Sequence, residues 1–181
     1  MIDPIFGSDV LKNAALWSLE RLPDDKKRLH SLFKVLWFAD LKHMKKYGRT
    51  ITGDRYIAMN KGPVPSALYD IIKGNCPPEL RGCLTRYDKG AEKGFLRAEL
   101  ASDERYLSET DKEALLESIE ENKNLSFDDR VNKSHGHAWK SAYASGSSTT
   151  IRPQEILDEI GADSSLREYV LEDLELRKVL A

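Results

Sequence analysis

Val35-Leu36-Trp37-Phe38-Ala39 is a run of five apolar residues at the centre of a longer helical pattern. A helix that is apolar all round is normally enclosed by protein on every side. The reading therefore places a central buried helix over about 26–47. Gly48 supplies its stop, because glycine adopts the left-handed conformation that closes a helix. Five residues are far too few to span a bilayer. The expected architecture is mainly α with a small antiparallel β-sheet (α+β), the sheet lying between residues 50 and 107.

Outward from this helix the pattern is mostly helical. Ser8 caps a first helix to about Leu22, with Leu11, Ala14, Ala15, Leu19 and Leu22 on one stripe. Downstream, Gly48–Asp54 reads as a loop and Arg55–Met59 as a short strand. Lys61-Gly62-Pro63-Val64-Pro65 reads as a stiff loop whose two prolines fix φ. A helix then runs from Pro65 or Ser66 to Gly74. Gly94–Leu100 and Tyr106-Leu107 read as strands around a loop at Ser102-Asp103. Ser108 and Ser126 each cap a further helix. Ala144–Thr150 reads as a flexible linker. Two C-terminal helices follow within 151–181 and are expected to pack on the same domain.

Composition excludes some classes. The 181 residues are 40% hydrophobic and 32% charged, which places the chain among globular domains and away from disorder. The N-terminus lacks the basic and apolar regions of a signal peptide. Cys76 and Cys83 give no disulfide framework and read as reduced thiols. Together these favour a cytoplasmic protein with no membrane association. The formal net charge is −2, but it is unevenly spread. Residues 21–50 carry nine basic and three acidic side chains, a balance of +6; residues 101–130 carry four basic and ten acidic ones, a balance of −6. The blocks either steer a charged partner or attract one another as solvated helical faces.

Catalytic and nucleotide-binding signatures are missing: no phosphate loop, G-x-G-x-x-G, H-E-x-x-H or G-x-S-x-G occurs. Cys76, Cys83, His135 and His137 offer zinc-compatible atoms, but the cysteine spacing is wide and the histidines, two apart, face different sides of a helix. No metal and no cofactor is expected. Two alternatives stay open: a small enzyme or nucleotide-binding protein using His135 and His137, and a nucleic-acid-binding module using the basic 21–50 region. The second is disfavoured because its aromatics, Trp37 and Phe38, lie in the most apolar stretch.

Several blocks in order carry a family resemblance. They are Leu36-Trp37-Phe38-Ala39-Asp40, Tyr47-Gly48-Arg49, Gly53-Asp54, Lys61-Gly62-Pro63-Val64-Pro65-Ser66 with Tyr69, Leu107-Ser108-Glu109-Thr110-Asp111-Lys112, and Ser134-His135 with Ala138-Trp139. Together they resemble the Panacea domain, a phage-associated family formerly catalogued as a domain of unknown function. The departure is Thr52-Gly53-Asp54, where the family often has a bulkier apolar or acidic run. The resemblance implies a Panacea-like domain over 1–143 and an antitoxin of a toxin–antitoxin system. Such a protein neutralises a cognate toxin by protein–protein binding rather than catalysis, and in one mode hands the toxin to a cellular protease. A homo-oligomer is a further arrangement considered. Arg49, Asp54, Lys61, Tyr69, His135 and Trp139 are the expected partner contacts. Tyr47, Gly48, Gly53, Gly62, Pro63 and Pro65 are expected to shape the loops.

Overall fold

The computed structural model describes residues 7–144 and 148–180. Helix α1 (Gly7–Arg21) is followed by α2 (Leu29–Tyr47), the strands β1 (Tyr56–Met59) and β2 (Gly62–Pro65), and α3 (Ser66–Lys73). Then come β3 (Leu84–Lys89), β4 (Glu92–Ala98), α4 (Glu109–Asn122), α5 (Phe127–Ser134) and α6 (His137–Ala142). A two-residue strand β5 (Thr149–Thr150) and helices α7 (Pro153–Glu159) and α8 (Ser164–Leu180) complete the order. The fold is mainly α with small antiparallel sheets. No helix among the described residues is long and apolar enough to cross a membrane.

The all-round apolarity of α2 has a direct cause. Leu32, Phe33, Val35, Leu36 and Ala39 enter a core shared with α1, α3 and α4. Trp37 and Phe38 enter a second cluster with Tyr56, Ala58, Ala138 and Ile151, and are 1% and 9% exposed. Met44 enters a third with Leu157, Ile160 and Val170, which packs α7 and α8 on the end of α2. One helix thus feeds three apolar clusters, each favoured by removal of its side chains from water. Gly48 closes α2 at φ +70, its N–H bonding Met44 O at 2.9 Å. A Cβ there would lie 2.6 Å from the Tyr169 ring, so α8 also needs this glycine.

The helix begins later than its pattern suggests. Asp24–Lys26 forms a 3-10 turn, and Arg28 is extended. The backbone there pairs with β4: Leu96 N donates to Lys27 O at 2.8 Å. Tertiary pairing has taken the first residues of the helical pattern.

Strand β1 is central in the order β2-β1-β5, with Ile57 opposite Val64 and Ala58 opposite Pro63. The segment read as a stiff loop is therefore an edge strand. Its prolines are tolerated because an edge leaves one side of the ladder without donors to satisfy. Of the stretch read as a linker, 145–147 lies outside the described residues, and Thr149–Thr150 pairs with β1. The second sheet also differs from expectation. β4 pairs with β3, which the sequence did not mark, and Tyr106 lies in a 3-10 turn over Glu104–Tyr106 rather than in a strand. Most of β3 is exposed and polar, so it lacks the alternation that reveals a half-buried strand.

Candidate interaction surface

Two buried carboxylates fix the loop after α2. Asp40 accepts from Ile51 N (2.7 Å), Thr52 N (3.0 Å), Thr52 Oγ1 (2.5 Å) and Tyr56 OH (2.7 Å). Burial pushes its carboxyl up to about 6, and the four donors oppose that rise. Burial likewise raises the Tyr56 phenol, with the Asp40 charge beside it. Asp54 accepts from Arg55 N (2.6 Å), Ala67 N (3.0 Å) and Leu68 N (3.0 Å), which anchors the loop to the start of α3. Asp54 is buried with these bonds internal, so it holds the scaffold and presents no surface to a partner. Gly53, at φ +62, gives the left-handed turn between the two carboxylates' binding segments.

Arg49 is held by partners within the chain while its side chain stays 42% exposed. Its guanidinium donates to Asp111 Oδ1 at 2.9 Å and to Thr50 O at 3.2 Å. Asp111 closes the capping box of α4 with Ser108. His43, beneath, donates through Nδ1 to Arg49 O at 3.0 Å and faces Thr110 Oγ1 at 3.1 Å through Nε2; burial lowers its pKa. Arg49→Ala is expected to cost about 0.5–1 kcal/mol, as loss of a half-exposed pair does, read as a shifted urea midpoint at unchanged slope.

The basic and acidic blocks meet here. Lys42 pairs with Glu121 (2.6 Å) and Glu117 (3.5 Å), and Lys46 with Glu113 (3.5 Å). Lys42, Lys46, Glu113 and Glu117 rim a cavity of about 380 Å³ between α2 and α4, with His43, Tyr47 and Thr110 also lining it. Three of the nine basic residues in 21–50, Lys42, Lys46 and Arg49, are therefore matched by α4. Tyr69 stands elsewhere, half-buried against Phe33 with Lys73 over its ring at 4.4 Å.

Three of the expected contacts do converge: Lys61, His135 and Trp139 gather at the β1–β2 turn. Trp139 donates from Nε1 to Met59 O at 2.8 Å, fastening α6 to the turn. His135 stacks on Trp139 at 3.5 Å between centroids and 5° between planes, and Tyr143 stacks on the same indole at 4.7 Å. Lys61 is exposed, with its ammonium 5.9 Å from the centre of the Phe127 ring, itself 44% exposed. His30 packs on Phe127 at 4.3 Å and donates from Nε2 to Lys61 O at 3.3 Å. Below the turn, the buried Lys34 ammonium donates to Pro63 O at 2.8 Å. Gly62, at φ +96, permits this approach: a Cβ would sit 2.8 Å from Lys34 Cε and collide with Ser134 Oγ.

His30, Lys34 and Phe127 were missed by the sequence reading. Lys34 left a signal, being a lysine inside an otherwise apolar helix centre; Phe127 left none beyond its place at a helix start. The residues of the zinc and enzyme alternatives lie apart from one another among the described residues. His137 is exposed and faces Asp158 at 3.8 Å, away from the His135–Trp139 stack. Cys83 is buried and its thiol pKa raised by that burial. Among the described residues, no three His, Cys, Asp or Glu side chains group as a metal site requires.

A family model described as antitoxin SocA-like, Panacea domain, matches residues 32–140, more than half of the chain and the span from α2 into α6. No curated protein and no solved structure matches it.

Proposed function

The chain belongs to the antitoxin SocA-like, Panacea domain family, with the antitoxin-type role that this carries, and on that premise we propose that it neutralises a cognate toxin by binding it directly. The family match is the observation that carries the reading. The β1–β2 turn with α5 and α6 is the contact surface. It combines an exposed aromatic ring, an exposed cation and a stacked aromatic support, the ingredients of protein-interface anchors. The support is rigid: Trp139 is held by Met59 O and two stacked rings, so little ordering cost falls on binding.

Co-expression with a short reading frame, where one adjoins the gene, tests this, scored by growth rescue and co-purification. Lys61→Ala with Phe127→Ala is expected to weaken toxin capture by about 2 kcal/mol or more, in the range of interface anchors. Both side chains are exposed, so the melting temperature should hold. A double variant that captures toxin with wild-type affinity would move the contact surface elsewhere on the domain.

A further inference from the structure

Lysines, an arginine and two neutral imidazoles crowd the β1–β2 turn. His30 and Lys34 come from α2, Lys61 from the turn, Arg130 from α5, His135 from the α5–α6 junction and Lys140 from α6. The charges acting on His30 are those of Lys34, Arg130 and Lys61; those acting on His135 are Lys34, Lys140 and Lys61. Each opposes protonation of the ring. Asp25 offsets the field only at Arg130, where Arg28 opposes it. At Lys34 the cause that lowers the pKa is burial. Elsewhere the chain pairs its cations freely: Lys42, Lys46, Lys73 and Lys112 all have carboxylate partners.

Two imidazole atoms in this cluster, His30 Nδ1 and His135 Nε2, are buried without a hydrogen-bond partner among the described residues. Buried polar atoms are normally satisfied. An unpaired buried cation is more costly still, and an apolar residue of similar size would serve packing better. The Lys34 ammonium lies directly behind the Gly62 backbone, where a Cβ would be 3.0 Å from Nζ.

We propose that the β1–β2 turn is a carboxylate receptor, in which an acidic side chain of the toxin seats against Lys61 and His135 over the buried Lys34 ammonium. This rests on the reading of the turn as the toxin-binding surface. An anion there supplies the counter-charge that the cluster lacks, and Phe127 offers an apolar wall to its stem. A nucleic-acid phosphate fits less well. The Trp139 ring is already stacked with His135 and Tyr143, leaving it poorly placed to take a base, the usual partner of an aromatic in single-strand recognition.

The test uses the full chain, with its histidine ring signals followed by NMR. A short glutamate-rich peptide is titrated in, with the same peptide carrying Gln for Glu and a single-stranded oligonucleotide as further arms. The glutamate peptide is expected to move the His30 and His135 signals and raise their pKa values, while the Gln peptide leaves them in place. Lys61→Ala and Lys34→Met should each weaken the peptide about fivefold or more, and Lys45→Ala, an exposed lysine on α2 outside the turn, should not. Unmoved histidine signals, equal loss in Lys45→Ala, or tighter oligonucleotide binding through the same residues would each overturn the receptor. Co-expression separates the two readings. A chain that rescues growth but ignores the peptide keeps the antitoxin role and loses the receptor. One that binds the peptide through Lys61 without rescuing growth keeps the receptor and loses the toxin as its source.

Discussion

Asp40→Ala is expected to leave the protein unfolded or barely folded at 37 °C. The carboxylate is the shared acceptor for two backbone N–H groups and two hydroxyls. Its removal leaves buried donors facing an empty space, at about 1–3 kcal/mol each. A total on the order of 4 kcal/mol is a large share of the stability of a single domain. Asp40→Asn should cost less, about 1–2 kcal/mol, because the amide oxygen still serves part of the set and the hydroxyls can turn to accept from its NH₂. The two variants differ in pH response as well. The folded carboxyl titrates near 6 and the unfolded one near 3.8, so the native state holds the extra proton between these values. That contribution is present below the unfolded value and is lost as the pH rises through about 6. Urea unfolding of the wild type and Asp40→Asn from pH 4 to 7.5 should show the Asp40-dependent slope in the wild type alone. Equal stability of Asp40→Ala and wild type would remove Asp40 from its place at the loop's centre.

The second large effect has the opposite sign: Lys34→Met is expected to stabilise the free protein. Burial lowers the Lys34 ammonium to about 7, from an ordinary value of 10.5. A depressed folded value means that the unfolded chain binds the proton more tightly. Stability from this group is therefore full above 10.5 and is lost as the pH falls through about 7. Near pH 6 the penalty is roughly 3–5 kcal/mol at about 1.4 kcal/mol per unit. Methionine removes it and forfeits the hydrogen bond to Pro63 O, worth about 1 kcal/mol. A net gain of about 2–4 kcal/mol near pH 6, shrinking towards pH 10, should appear as a raised melting temperature. A variant less stable than wild type at pH 6 would mean that the ammonium is compensated in the free protein. Stabilisation paired with weaker partner binding is the usual mark of a side chain kept for function.

The determinants of α2 were legible because they are local. An apolar run, a glycine stop and a helical period are properties of neighbouring residues, and enclosure on all sides follows from them. The capping serines of α4 and α5 were legible for the same reason, since the cap is made within three residues. The resemblance over the blocks from Leu36 to Trp139 was legible too, and the family match at 32–140 bears it out.

What the sequence could not decide depends on groups brought from afar. Strand β3 is exposed and polar, so only its hydrogen bonds to β4 reveal it. Arg49 and Asp54 share the composition of contact residues, yet Asp111 and the first amides of α3 claim them. Trp139 and Met59 are 80 positions apart, and their single hydrogen bond brings α6 onto the β1–β2 turn. That meeting gathers Lys61, His135, Phe127 and His30 on one face and leaves Lys34 beneath it. A lysine within a helical run reads as an ordinary solvated charge until the fold surrounds it. Whether it is paired, exposed or buried alone depends on distances of a few ångströms between distant segments, to which charge interactions in a low dielectric are steeply sensitive.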